Sequence, residues 1–135
     1  MACLETFSTL RIFSTSVEPD EITRRLGIEP AEALPKDPDS PHKPRQEGHF
    51  WCWRTEGLIE SSDSEEHLLT ILAVFESAAE ALEQLRELGC RTDINSFWVG
   101  NGQGGPTLQL KTMEKLCELG LPVSWDNYFG SDSET

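Results

Sequence analysis

The alternation of strand-like and helix-like segments along one short chain limits the fold more than any other feature. Segments rich in β-branched and aromatic residues predict four strands, at 6–14, 49–54, 91–99 and 122–129. Helical patterns lie between them, bounded by Pro19 and Gly27, by Asp63 and Gly89, and by Lys111 and Gly120. The resulting order, β-α-β-α-β-α-β, predicts an α+β fold in which a mostly antiparallel sheet carries its helices on one face.

One domain accounts for nearly the whole sequence. The chain has 135 residues, a length typical of a single domain. No linker divides it, so we expect one domain over 1–129 and a flexible C-terminal tail over 130–135. Five prolines between positions 30 and 48 predict an extended surface loop there. A second capping pattern at Ser77 predicts a kink or restart within the longest helical segment.

The sequence shows no pattern of export or of a membrane span. The longest apolar-rich run, from Leu68 to Phe75, has eight residues, whereas a transmembrane helix needs roughly 20. The N-terminus lacks the basic and apolar regions of a secretory signal. We therefore expect a cytoplasmic protein that does not bind membranes.

Acidic residues are concentrated in the middle of the chain. From Glu56 to Glu87 there are nine carboxylates and a single cation, Arg86, so this stretch carries −8 of the chain's net charge of −13. A field of one sign repels nucleic acid and favours a basic partner. Spacings of four, three and four residues place four of the carboxylates on one helix face: Glu76, Glu80, Glu83 and Glu87.

This charge pattern predicts a non-catalytic module that binds a basic protein. An immunity or inhibitor protein for a basic toxin that acts in the cytoplasm is the specific version that we expect. The side chains predicted to contact the partner are all glutamates: Glu65, Glu66, Glu76, Glu80, Glu83 and Glu87. A second interpretation stays open, namely that the charged helix face serves only solubility.

A small-molecule or enzymatic site is the alternative function. It would lie between sheet and helices, beneath a glycine-rich loop at 100–105, and its lining residues would be Asp93, Trp98, Trp125 and Asp126. The spacing Gly100-x-Gly102-x-x-Gly105 imitates a dinucleotide-binding motif. Pro106, however, has no N–H with which to hold a phosphate at that position. The sequence therefore favours a flexible loop without a nucleotide.

No residue pattern indicates catalysis, a metal or a cofactor. The four cysteines are far apart and include no Cys-x-x-Cys pair, so we expect all of them to be buried, reduced thiols: Cys3, Cys52, Cys90 and Cys117. His67 follows Glu66 in the first turn of a predicted helix. That position favours a capping or surface role for His67 over the role of a base.

Tryptophan occurs in every predicted strand after the first, at positions 51, 53, 98 and 125. Adjacent pleated strands bring such side chains together, which favours an aromatic core or cross-strand packing. The alternative is a partly exposed aromatic platform that is offered to a ligand or a partner.

Several short motifs resemble one bacterial family. They are Leu26-Gly27-Ile28-Glu29-Pro30, Trp51-x-Trp53, Glu66-His67-Leu68, Leu119-Gly120-Leu121 and Asp126-x-Tyr128-Phe129. In this order they span nearly the whole chain, and together they are similar to the family of uncharacterised domains of unknown function numbered 4279. The resemblance implies a compact bacterial α+β domain, and it implies no reaction and no catalytic residue.

Overall fold

The structure is a computed structural model that describes residues 3–101 and 104–130. Within these residues the chain forms five strands: β1 (Cys3–Ser14), β2 (Glu32–Leu34), β3 (His49–Arg54), β4 (Arg91–Asn101) and β5 (Val123–Gly130). The same residues form five α-helices: α1 (Pro19–Leu26), α2 (Lys43–Glu47), α3 (Ser64–Phe75), α4 (Ala79–Glu87) and α5 (Leu110–Leu119). A turn of 3-10 helix, Glu76–Ala78, joins α3 to α4.

The strands form one sheet in the order β2-β3-β1-β4-β5. β1 is central and antiparallel to both neighbours, with Ile12 opposite Trp51 in β3 and Leu10 opposite Ile94 in β4. β2 extends the sheet antiparallel to β3, whereas β5 pairs parallel with β4. The parallel pair requires a long crossover, which α5 provides. β2 and β5 are therefore the two edges of the sheet.

The helices cover one face of the sheet because apolar residues alternate along its strands. In β1, Leu10 and Ile12 are fully buried, whereas Arg11 and Phe13 project from the other face and are partly exposed. α1 contacts β3, α3 contacts β1 and α4 contacts β4, and α5 packs against α3 and α4. The opposite face, which none of these four helices covers, is called the open face below.

Phe75 connects the helical layer to the sheet. Its ring is fully buried and lies edge-on to Trp51 and Trp53, with centroids 6.3 and 5.9 Å apart. Phe75 is the last residue of α3, and the 3-10 turn follows it directly. The change of direction lets α3 lie over β1 while α4 lies over β4.

The expected α+β class, the mostly antiparallel sheet and the helices on one face are confirmed. The predicted order of elements is wrong within residues 30–48, where the structure has β2 and α2 as well as loop. With three and five residues, these elements are too short to show a hydrophobic period. Pro44 lies in the first turn of α2, where proline is tolerated. The kink expected near Ser77 is confirmed by the 3-10 turn.

The ends of several elements follow local chemistry. Gly27 ends α1 with φ 71° and Gly120 ends α5 with φ 68°. Both values are left-handed, a conformation that glycine adopts at little cost. Gly130, which the sequence placed in the C-terminal tail, is the last residue of β5. The rest of the expected tail, 131–135, lies outside the described residues.

Candidate functional site

Five exposed glutamates of α3, the 3-10 turn and α4 form the surface that we call the acidic surface: Glu66, Glu76, Glu80, Glu83 and Glu87. The two helices that contact α4, namely α1 and α5, carry no net charge. α1 carries two acidic and two basic residues, and so does α5. The excess of negative charge in the helical layer therefore belongs to α3, the turn and α4.

Packing of α4 directs its glutamates into solvent. Leu82 and Leu85 are fully buried, on the side of α4 that contacts β4. The three α4 members of the acidic surface consequently project from the opposite side. Glu76 precedes the kink, in the 3-10 turn. The stripe of four that the sequence predicts is thus a row of three on α4 with Glu76 beside its N-terminal end.

No member of the acidic surface forms an ion pair within the described residues. The ion pairs found there are Arg11–Asp93, Arg25–Glu21, Arg54–Glu32 and His49–Glu18. Arg86, the cation of α4, instead donates to Thr92 Oγ1 at 3.2 Å. A Cβ on Gly120 would lie 2.8 Å from Arg86 Nη2, so the guanidinium sits at the C-terminal end of α5, where a cation is favourable.

Glu65 differs from the other predicted glutamates because it makes a structural contact. Its Oε2 accepts the N–H of Gln109 at 2.6 Å and the hydroxyl of Thr112 at 2.8 Å. Gln109 is the N-cap residue of α5. A carboxylate of α3 therefore caps α5, and its charge is favourable at that end of a helix. We do not include Glu65 in the acidic surface.

The four residues predicted to line a ligand pocket are divided between the two faces of the sheet. Asp93 lies on the open face and makes a bidentate pair with Arg11, with N···O distances of 2.8 and 2.9 Å. Asp126 is exposed on the same face. Trp98 is 2% exposed and points with Trp125 toward the helices. The four are not brought together, because consecutive residues of a strand project to opposite faces.

Trp98 does line a pocket beside the glycine-rich loop. The cavity has a volume of about 420 Å³ and lies between Trp98, the first turn of α3 and residues 104–107. The Cys3 side chain also borders it. A volume of this size falls within the range of small-ligand sites. Of the four predicted lining residues, only Trp98 borders this cavity, and Gly102 of the motif lies outside the described residues.

An aromatic row on the open face is a feature that the sequence analysis missed. Phe7 stacks on Phe97 with centroids 4.9 Å apart, and Phe97 meets Tyr128 at 5.5 Å. The row crosses β1, β4 and β5, and Tyr128 is 53% exposed. The partly exposed platform considered for the tryptophans is thus formed by phenylalanine and tyrosine. The available signal was Phe7 between Thr6 and Ser8 in β1, since alternation puts its ring on the face opposite to theirs.

His67 is buried, so the expected surface or capping position is wrong. It is 1% exposed, with Nδ1 2.6 Å from Thr55 Oγ1 and Nε2 2.8 Å from the Ser61 carbonyl oxygen. Because that carbonyl only accepts, Nε2 carries the proton and Thr55 donates to Nδ1. Thr55 Oγ1 also accepts the N–H of Ser8 at 2.9 Å. His67 therefore joins α3 to β1 and to the segment after β3.

The cysteines occupy different environments. Cys52 and Cys90 are buried as expected, and burial raises the pKa of both thiols. Cys3 is half-buried and Cys117 is exposed, so the expectation that all four are buried is wrong. Cys117 is exposed because α5 turns Thr112 inward, toward Glu65. Among the described residues, no three His, Cys, Asp or Glu side chains are placed to share a metal ion.

Fold and charge together define an α+β domain with a five-stranded mixed sheet and an acidic surface on its helical layer. Residues 5–130 match the model of the family described as a domain of unknown function, DUF4279, and the chain belongs to that family. The resemblance seen in the sequence is thereby confirmed. No curated protein and no solved structure shows a significant match to the chain. Among the described residues, every helix is too short or too polar to cross a bilayer.

Proposed function

We propose that this domain is a non-catalytic protein-binding module whose acidic surface binds a basic partner. The supporting observation is that its five exposed glutamates have no ion-pair partner within residues 3–101 and 104–130. Glutamates three or four apart on a helix repel one another by about 0.2–0.5 kcal/mol per pair. The row on α4 therefore destabilises its own helix, and cations from a second molecule relieve that repulsion.

Electrostatics gives such an interface a defined behaviour. Complementary charge speeds the encounter and selects the partner more than it adds affinity. The field is screened beyond about 8 Å at physiological ionic strength, so Lys or Arg of the partner must come close to α4. Binding then weakens as salt is added. Buried Leu82 and Leu85 hold α4 against the sheet, so the glutamate row is presented on a rigid element.

The specific version that we propose is an immunity or inhibitor protein in the bacterial cytoplasm. A toxin that cleaves nucleic acid needs a cationic groove for the phosphate backbone. The glutamates of α4 repeat about every 5 Å along the helix axis, a row of negative charge that competes for such a groove. Three of the five glutamates lie in one row on α4, between two helices that carry no net charge, which favours a groove over a broad cationic surface.

Charge reversal tests the proposed interface. Association would be measured by biolayer interferometry against basic proteins encoded beside this chain, at low and high salt, for the wild type and for Glu80→Lys/Glu83→Lys. At about 1 kcal/mol for each reversed charge, the double variant should bind roughly thirtyfold more weakly. The matched control is Glu29→Lys/Glu47→Lys, which makes the same charge change at exposed positions outside α3 and α4. Equal losses in both variants, or affinity indifferent to salt, would contradict the proposal.

A small-molecule site is the second candidate, because Trp98, Gly104 and Gly105 border one cavity of about 420 Å³. In that case residues 104–107, which border the cavity together with Trp98, would cover a ligand packed on the indole ring. A thermal-shift screen of the full chain against nucleotides and metal ions tests it. Stabilisation that Trp98→Ala removes would favour this candidate, whereas no shift with any compound would leave the protein-binding proposal alone.

A further inference from the structure

We propose that the outer edge of β5 and the adjoining face of α5 form a homodimer interface in which two copies join their sheets across a two-fold axis. β5 is the last strand of the sheet, and its outer edge pairs with no other strand among the described residues. It has eight residues and a regular register with β4. Edge strands of monomers are usually short or protected by charged side chains, proline or a bulge, whereas β5 contains no lysine, proline or bulge and only one charged side chain, Asp126. β2, at the other edge, has three residues.

The backbone groups available on that edge follow from its pairing with β4. The N–H of Ile94 donates to the carbonyl of Pro122 at 2.8 Å. The backbone C=O of residue 122 therefore points toward β4, and by alternation the backbone N–H and C=O groups of 124, 126 and 128 do so as well. The N–H and C=O groups of 125, 127 and 129 consequently point away from the sheet. These are the groups that a further antiparallel strand would bond.

A second copy of β5 can form antiparallel hydrogen bonds with these groups when the two-fold axis passes through Asn127. Trp125 then pairs with the partner's Phe129 on the helix-covered face, which joins two aromatic side chains. Asp126 lies opposite the partner's Tyr128 on the open face. Within one chain the Tyr128 hydroxyl already donates to Asp126 at 3.3 Å, and the dimer offers the same bond between chains. Moving the axis to Asp126 would set two carboxylates against each other, which is unfavourable.

α5 supplies an independent observation. Leu110, Met113 and Cys117 follow an i, i+3, i+7 spacing on one face, and the first two are 81% and 42% exposed. Thr112 and Leu119, on the opposite face, lie against α3. α5 leads directly into β5, the strand at the edge of the sheet beyond β4, so the face of α5 turned away from α3 is the side that a second copy can meet. The two-fold axis brings these apolar faces together beside the paired strands.

Charge favours a second copy of this chain as the occupant. β5 carries one charged side chain, Asp126, and α5 carries two lysines and two glutamates. Two copies, each with a net charge of −13, thus meet through a side with little net charge. The acidic surface lies on α3 and α4 and stays uncovered. The dimer is therefore compatible with the proposed function and does not depend on it.

Size-exclusion chromatography with light scattering tests the interface on the full chain over a dilution series. The wild type should have twice the chain mass of 15.1 kDa. Asn127→Pro removes an N–H that points away from β4, and Met113→Glu places a charge in the α5 contact. Both variants should have a mass of 15.1 kDa. Leu69→Glu is the matched control, since Leu69 is 41% exposed on α3, and it should stay dimeric.

The folded state of each variant is checked by circular dichroism. If Asn127→Pro does not fold, Met113→Glu decides the result, because its side chain is already exposed. A wild type that is monomeric at every concentration overturns the proposal. A dimer that survives in a folded Met113→Glu or Asn127→Pro variant also overturns it, because the contact would then lie elsewhere.

Discussion

Replacing Glu65 by alanine should destabilise the fold more than replacing any glutamate of the acidic surface. Its Oε2 accepts the N–H of Gln109 at 2.6 Å and the hydroxyl of Thr112 at 2.8 Å. Loss of a helix cap costs about 1 kcal/mol, and loss of a hydroxyl bond to a charged acceptor costs about 1.5 kcal/mol. Water can hydrogen-bond to the freed groups and offsets part of this sum. We therefore expect the free energy of unfolding to fall by about 2 kcal/mol and the melting temperature to fall by roughly 8 °C.

Urea unfolding followed by circular dichroism measures this loss, and Glu66→Ala is the matched control. Glu66 is the next residue of α3 and is exposed, so its removal should change the free energy of unfolding by less than about 0.5 kcal/mol. A double-mutant cycle of Glu65→Ala with Thr112→Val should show a coupling of about 1 kcal/mol. Equal losses for Glu65→Ala and Glu66→Ala, or a coupling of zero, would refute the assignment of Glu65 as the cap of α5.

Four other predictions concern charge, burial, thiol exposure and pH. Glu83→Lys should stabilise α4 by about 0.5 kcal/mol at low salt, since the repulsive pairs with Glu80 and Glu87 become attractive while the pair with Arg86 becomes repulsive; a gain that persists near 1 M salt would contradict this cause. His67→Phe should cost about 2 kcal/mol in urea unfolding, because the Ser61 carbonyl loses its donor and the Thr55 hydroxyl keeps only the longer bond to the Ser8 carbonyl, at 3.3 Å; a loss below about 0.5 kcal/mol would show that the buried network is dispensable. Cys117 should react with a thiol reagent in the native state, whereas Cys52 and Cys90 should react only after unfolding. Burial raises the pKa of the Cys52 and Cys90 thiols, so these thiols keep their protons to a higher pH in the native state than in the unfolded state. The free energy of unfolding should therefore fall as pH rises above about 8.5. Urea midpoints that do not change above that pH would contradict this prediction.

Long elements were predictable because burial of one face repeats a pattern over many residues. β4 at Arg91–Asn101 alternates buried and partly exposed residues and covers the strand predicted at 91–99, and the 3-10 turn lies at the predicted kink. β2 and α2 were not predictable, since a three-residue strand depends on the strand it joins and a short helix on its surroundings. The sequence determines local periods, whereas these two elements depend on contacts made after the sheet has formed.

The candidate site was less predictable because it depends on contacts between distant segments. Glu65 and Glu66 are adjacent and chemically identical, yet a helix separates their directions by about 100°. Only Glu65 meets α5, through Gln109, a residue 44 positions away. Burial of His67 likewise needs Thr55, which comes from the segment after β3. No local pattern distinguishes a glutamate that caps a helix from one that is free to bind a partner.

The two proposals together make a prediction that neither makes alone. A two-fold axis between antiparallel strands runs perpendicular to the sheet, so both helical layers of the dimer lie on the same side. The dimer then presents two acidic surfaces in one direction, and a partner with two cationic sites would bind both at a raised effective concentration. Met113→Glu should therefore weaken binding to such a partner while leaving binding to a single-site partner unchanged. Glu80→Lys/Glu83→Lys should weaken both, which separates the role of the α5 face from that of the glutamate row.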